Sequence, residues 1–190
     1  MSIEIRYSDD TTLVSAVFDT LQMSTMELET ACRKWCLKIN PLKCAVMSSS
    51  SDNIEIDNKT VPKVDEFKFL GSMIPDCSQD MQHKITLASM AFGRLRNKVW
   101  TSRDLCKALK IRLYKALILP IAIYGSESWT MKTEDANALL VFEMKCLRVI
   151  HGVTKRDRQS NNHIREALHM MKTIEDLVSN RQLRWFGHVV

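Results

Sequence analysis

The sequence predicts an α+β chain, with short strands in its first part and helices in the remainder. Three observations carry that expectation. Apolar and polar residues alternate from Ile3 to Tyr7 and again through IEIDNKTVPKV, the two-residue period of a half-buried strand. From Met81 the apolar positions Met81, Ile85, Ala88, Phe92, Leu95 and Val99 follow a 4,3,4,3,4 spacing, which keeps them on one face of a helix. Near residue 76 the composition shifts, dividing an α+β part from an all-α part.

Taken in order, Ile3, Ile5 and Tyr7 share one strand face, Asp9 and Asp10 form a tight turn, and a second apolar run follows from Leu13 to Phe18. In STMELETACRKWCLKIN, Ser24 with Glu27 makes a capping box, and Leu28, Ala31, Cys32, Trp35 and Ile39 fall on one face. Asn40 and Pro41 stop that helix, and Lys43 to Met47 reads as a short strand. IEIDNKTVPKV carries a strand, an Asn58-Lys59 turn and a second strand whose Pro62 restricts it to an edge or bulge. The apolar stretch DEFKFLGSMI follows and ends at Pro75. After the Met81 helix, Ser102 caps another with Leu105, Leu109, Leu113 and Ala116 inward. Thr133 caps a segment that ends at His151 and Gly152, and Thr173 with Asp176 starts another.

Of the 190 residues 45% are hydrophobic and 26% charged, a folded and not a disordered composition. The longest apolar stretch, ALILPIAIYG, is about half of a bilayer span and holds Pro120, so no membrane segment is expected. Charges at Glu4, Arg6, Asp9 and Asp10 leave no room for a signal peptide. The 6 cysteines are scattered without a CxxC pair, which supports neither a disulfide framework nor a zinc knuckle. The net charge of +5 is unevenly spread: residues 1–66 carry 7 basic and 11 acidic side chains, residues 92–120 carry 8 and 1, and residues 145–190 carry 9 and 4. The middle segment is thus a local positive field that attracts polyanions.

The Asp9-Asp10 pair admits two readings. Asp bonds its own backbone and tolerates turn dihedrals, so a solvated surface turn suffices. Clustered carboxylates can also hold two Mg²⁺ ions for nucleotidyl transfer, but one hairpin cannot complete such a site without a carboxylate from another strand.

Motif order bears on the choice. YSDDTTL resembles the Tyr-Ala-Asp-Asp-Thr box of reverse transcriptases, WCLKINPLKC the Gly-Leu-Lys-Ile-Asn motif that follows it, and FKFLGSMI the primer-grip motif. Their order and spacing resemble the polymerases of non-LTR (LINE-like) retrotransposons. The downstream stretches around YKALILPIAIYGSESWTM, FEMKCLRVIHGV and RQLRWFGHVV are similar to the thumb and C-terminal region of the same proteins.

The resemblance implies a partial polymerase palm (hairpin, helix and small antiparallel sheet) over residues 1–76, basic thumb helices over 77–120 and a helical C-terminal region over 121–190. It implies that Asp9 and Asp10 are metal and catalytic residues, that Tyr7 packs beneath the nucleotide and primer terminus, and that Lys43 assists pyrophosphate departure. A cation suits that last role because negative charge develops on the leaving phosphate. Phe67, Lys68, Phe69, Leu70 and Gly71 match the primer grip, where glycine allows close backbone approach. Arg94, Arg96, Lys98, Arg103, Lys107, Lys110, Arg112 and Lys115 would supply phosphate contacts, about half of them at once, since two helices cannot turn all eight one way. Tyr114, Tyr124 and Trp129 read as packing residues. The implied cofactor is Mg²⁺, the partners are RNA template, DNA primer and dNTP with no membrane, and the location is the nucleus or a cytoplasmic ribonucleoprotein.

Ser8 stands for the usual Ala, Cys36 for Gly and Cys44 for Thr; the first two are small, which predicts tolerance. The fingers and the first palm motif, with its metal-binding Asp, precede the Tyr-x-Asp-Asp box in the family, whereas six residues precede Tyr7 here. The expectation is therefore a polymerase fragment, inactive by itself. The alternative is a non-catalytic nucleic-acid-binding helical module, or a relic of a truncated element.

Overall fold

The structure is a computed structural model that describes residues 2–8 and 10–189. The chain divides into two compact units, residues 1–67 and 68–190.

In the first unit, β1 (Ser2–Tyr7) and β2 (Asp10–Ser15) pair antiparallel, with Ile3 opposite Val14 and Tyr7 opposite Asp10. Asp10, expected in the turn, therefore opens β2, and Ile3, Ile5 and Tyr7, expected on a half-buried face, are exposed. Helix α1 (Phe18–Lys34) starts six residues before the expected cap. Ser24 lies inside it, and its hydroxyl meets Ser2 Oγ at 2.7 Å instead of capping. The inward stripe is Phe18, Leu21, Thr25, Leu28 and Cys32, while Ala31 and Trp35, expected on the buried face, are exposed. Phe18 and Leu21 pack with Ile39, Cys44 and Val46 on a small core of Ile54, Ile56 and Val61.

The helix ends at Lys34 rather than at Asn40-Pro41. Cys36 N–H donates to Arg33 O at 3.0 Å and Leu37 N–H to Cys32 O at 2.9 Å, a Schellman closure with Cys36 in the left-handed position, φ +56°. The smallness of Cys36 is therefore not what decides tolerance there. A Cβ at this dihedral crowds the backbone, which a glycine would avoid. Asn40 caps the single 3₁₀ turn Pro41–Lys43 instead, its Oδ1 accepting from Leu42 N–H at 3.1 Å.

Strands β3 (Glu55–Ile56) and β4 (Lys59–Thr60) form a hairpin whose turn is Asp57-Asn58, one residue before the expected Asn58-Lys59. Both turn residues have positive φ, +53° and +56°, the type I′ requirement that Asp and Asn meet at low cost. The Gln22 amide accepts from Glu55 N–H at 3.2 Å and donates to Glu55 O at 3.3 Å, tying α1 to the edge of β3. The strand expected over Lys43 to Met47 reduces to one parallel bridge, Val46 with Lys63.

In the second unit, β5 (Phe67–Phe69) and β6 (Ser72–Ile74) form a hairpin that, from Lys68 on, belongs with the helices and not with the preceding strands. The physical reason is that its turn is bonded to α2 (Cys77–Arg94) and to Tyr124, so the unit boundary falls before the composition shift. Asp76 Oδ1 caps α2 by accepting from Ser78 N–H at 2.8 Å. A wider π turn, Arg96–Trp100, follows and brings Trp100 back onto Phe92, with ring centroids 4.7 Å apart and its indole N–H donated to Phe92 O at 2.8 Å.

Helix α3 (Lys107–Leu113) begins five residues beyond Ser102, whose Oγ accepts from Asp104 N–H at 3.2 Å. A second π turn, Tyr114–Ile118, joins α3 to α4 (Leu119–Ala122). The inward face is Ile111, Tyr114 and Ile118, with the expected Leu113 packed at its edge, whereas Leu109 and Ala116, also expected inward, are exposed and Leu105 is half-buried. KALKIRLYKALI offers two apolar stripes, and the bulkier one with Tyr114 fills the core.

Helix α5 (Thr133–His151) closes on Gly152 at φ +84°, as expected, but Thr133 is its first residue and not its cap; the cap is Lys132, whose N–H donates to Asp135 Oδ2 at 3.2 Å. Helix α6 (Asn161–Ala167), which the apolar spacing did not announce, is capped by Ser160 Oγ, and α7 (Ile174–Val189) starts at the Thr173 and Asp176 pair. One core runs from Met81 to Val178 without a break at residue 120. Within it the fully buried Glu143 Oε2 accepts from Arg165 Nη2 at 2.5 Å and from Ile174 N–H at 3.2 Å, fixing α5, α6 and the start of α7 together.

Candidate nucleic-acid interface

The β1–β2 hairpin brings Tyr7 and Asp10 together as its last cross-strand pair, both exposed, with Ser8 in the turn at φ +56°. Asp9, the first residue of the expected metal site, lies outside the described residues. Lys43 is exposed at the end of its 3₁₀ turn. Among the described residues no three His, Cys, Asp or Glu side chains gather to hold a metal ion. Asp10 thus has no cradle of described carboxylates around it.

The motif FKFLG is spread along β5 and its turn. Phe67 and Phe69 are half-buried, Lys68 is exposed, and Leu70 and Gly71 are the turn residues at φ +48° and +86°. In the second unit this turn is held from several sides. Tyr124 donates its hydroxyl to Leu70 O at 3.3 Å, and Lys84 Nζ donates to Gly71 O. Lys84 also lies 3.7 Å from Asp80 Oδ1 and 5.0 Å from the centroid of the Tyr124 ring. Asp80 accepts from Met73 N–H at 3.0 Å and from the Trp129 indole N–H at 2.9 Å. Asp80 and Lys84 are both buried, at 1% and 4% exposure. Neither was visible as a site residue in the sequence, although their i,i+4 spacing on a helix was. Tyr124 and Trp129 do pack, as the sequence suggests, but Tyr124 keeps half its surface in solvent.

Of the eight cations from Arg94 to Lys115, seven are exposed: Arg94, Arg96, Lys98, Arg103, Lys107, Arg112 and Lys115. None of the eight forms an ion pair among the described residues. Lys110 departs from the expectation. It is buried at 6% exposure, and its ammonium is committed to Ser102 O at 2.6 Å, where it closes the loop before α3 instead of facing a phosphate. Arg103 and Lys107 line a cleft of about 420 Å³ against His151 and Gly152 at the end of α5. Lys107 Nζ donates to His151 Nδ1 at 3.2 Å; burial and the Lys107 charge hold that imidazole below its ordinary pKa, in the neutral form that can accept. No described helix is long and apolar enough to cross a membrane.

Over 203 aligned residues the chain is 25% identical to an uncharacterized transposon-derived protein of Caenorhabditis elegans, covering 97% of this chain and 70% of that protein. The chain is similar to a transposon-derived protein. No family model matches it, and no solved structure does.

Proposed function

We propose that the chain is the distal palm, thumb and C-terminal region of an RNA-directed DNA polymerase of the non-LTR retrotransposon kind. Its own working property, in this reading, is to hold the template-primer duplex. The observation that carries the reading is the row of seven exposed cations over residues 94–115 with no described ion-pair partner, within a chain whose motifs stand in the order of that family. Similarity along 97% of the chain to a transposon-derived protein supports the source. Lysine and arginine against phosphate position a duplex without reading its sequence, as a polymerase that copies any template needs.

In the complete parent, Asp9 and Asp10 would be metal ligands, Tyr7 would lie beneath the primer terminus and Lys43 would stabilise charge on departing pyrophosphate. Target-primed synthesis would place the parent in the nucleus.

Two measurements test the reading. With about four phosphate contacts, affinity for an RNA–DNA duplex falls with salt at a log–log slope of about −3 to −4. No binding at low salt would overturn the reading. Primer extension in an upstream-extended protein, wild type against Asp9→Asn, reads the catalytic part: equal incorporation by both removes Asp9 from the site. The non-catalytic alternative is favoured by the exposed cations alone and expects binding that survives loss of both aspartates while extension is never observed.

A further inference from the structure

We propose that Lys84 and Tyr124 are positioning residues that hold the Leu70-Gly71 turn in the shape in which it meets a nucleic-acid strand. The inference rests on the reading of Phe67 to Gly71 as a strand-contacting segment and adds to it the side chains that preorganise the contact.

A two-residue hairpin turn at a surface ordinarily leaves its carbonyls to water. Here both are taken by side chains, Leu70 O by the Tyr124 hydroxyl and Gly71 O by the Lys84 ammonium. The Lys84 ammonium is almost fully buried, and desolvating a charge is costly even when Asp80 lies beside it. Such a pair adds little to net stability, but separating its members is costly, which ties Lys84 to Asp80 beside the turn. Leu70 sits at φ +48°, a conformation that side chains other than glycine adopt only where the surroundings over-determine it. The surroundings do so. A Cβ on Gly71 would stand 3.3 Å from Tyr124 Cε1, and one on Gly125 would stand 2.8 Å from Ser72 Oγ, so the turn is clasped by the Tyr124-Gly125 backbone as well.

Electrostatics gives the clasp a direction. With both carbonyl oxygens engaged by donors, the partial negative charges of the turn are neutralised, while the exposed Lys68 beside it retains its cation. A phosphate can then approach backbone that would otherwise repel it, and it meets a turn that does not have to be ordered on binding.

The test uses the full chain and a fluorescent RNA–DNA duplex with a recessed primer end. Tyr124→Phe removes one donor and leaves the ring. Lys84→Met removes the other. Lys68→Ala serves as the direct-contact comparison. Both positioning variants are expected to speed amide exchange at residues 70–72 by about 10-fold. They should weaken duplex binding by about 2- to 10-fold with the salt slope unchanged. Lys68→Ala should lower the slope by about 0.7 to 0.9. Should Lys84→Met fail to fold, judged by circular dichroism, Tyr124→Phe alone decides. Faster exchange with unchanged affinity overturns the positioning role, as does unchanged exchange. Wild type that binds no duplex at low salt overturns the functional reading and this inference with it.

Discussion

Trp129 donates its indole N–H to Asp80 Oδ2 at 2.9 Å across 49 residues of sequence, with both side chains buried. The same carboxylate accepts from Met73 N–H and faces Lys84, so it joins a β-hairpin, a helix and a distant loop. Removing it with Asp80→Ala leaves the Lys84 charge buried without compensation. The expected cost is about 3–5 kcal/mol, read as a lowered denaturant midpoint. Asp80→Asn should cost less, because the amide oxygen can keep one of the two N–H partners.

Lys110 and Lys115 look alike in sequence and should behave oppositely. Lys115→Ala is expected to reduce the salt slope of duplex binding by about 0.7 to 0.9 and leave the melting temperature within about a degree or two. Lys110→Ala should leave the slope unchanged and lower stability by about 1–3 kcal/mol, since Ser102 O loses its partner. A slope that falls with Lys110→Ala would return that residue to the interface.

Cys36→Gly should stabilise the first unit by about 1 kcal/mol, because it relieves the left-handed strain at the Schellman position of α1. Gly152→Ala, at the matching position of α5, should do the reverse by a similar amount. Chemical denaturation of both variants measures the pair.

Asp176 accepts from the Thr173 backbone N–H at 2.7 Å and from its hydroxyl at 2.9 Å, and these bonds hold its carboxyl below the ordinary aspartate range. A depressed folded pKa favours folding above the unfolded value, and that contribution is lost as pH falls through the folded one. Wild type should therefore melt higher than Asp176→Asn at neutral pH, with the gap closing in acid. A gap that widens below pH ~4 would show the carboxylate is not the cap.

Thiol chemistry should separate the cysteines. Burial pushes the Cys146 thiol up to about 12, whereas Cys36 and Cys106 are exposed. Under native conditions at pH 8, iodoacetamide should modify Cys36 and Cys106 first and reach Cys146 only when denaturant opens the core. Early labelling of Cys146 in a peptide map would contradict its placement on the core-facing side of α5.

What the sequence revealed depended on whether local chemistry decided the structure. Gly152 and the Thr173-Asp176 pair act within one turn of their helices, so the end of α5 and the start of α7 were legible. The pairing of β1 with β2 was legible because alternation is local too, although Asp10 lies in β2 and not in the turn as expected. The start of α1 was not, since Ser24 offered a good cap signal that the packing of Phe18 and Leu21 overrode. The π turns at Arg96–Trp100 and Tyr114–Ile118 carry no local signature, and the buried face of α3 was misread as a result. For the candidate interface, the cations were evident from charge alone, but the burial of Lys110 was not. The Lys84 and Asp80 pair was hidden because its meaning comes from Gly71, Tyr124 and Trp129, which lie far apart along the chain.

The clasp at the β5–β6 turn also sets how fast this stretch can drift. Ser72 can shrink to Gly and make room for a side chain at position 125, yet the φ of +75° there still penalises any residue except Gly or Asn. Gly71 is bound in the same way to Tyr124, since the ring must recede before a Cβ fits, and φ +86° would remain. A side chain at Gly71 or Gly125 is therefore accepted only together with a change at Tyr124 or Ser72. Among diverged relatives, a side chain at position 71 or 125 should appear only alongside a change at position 124 or 72, while the exposed helix faces vary freely.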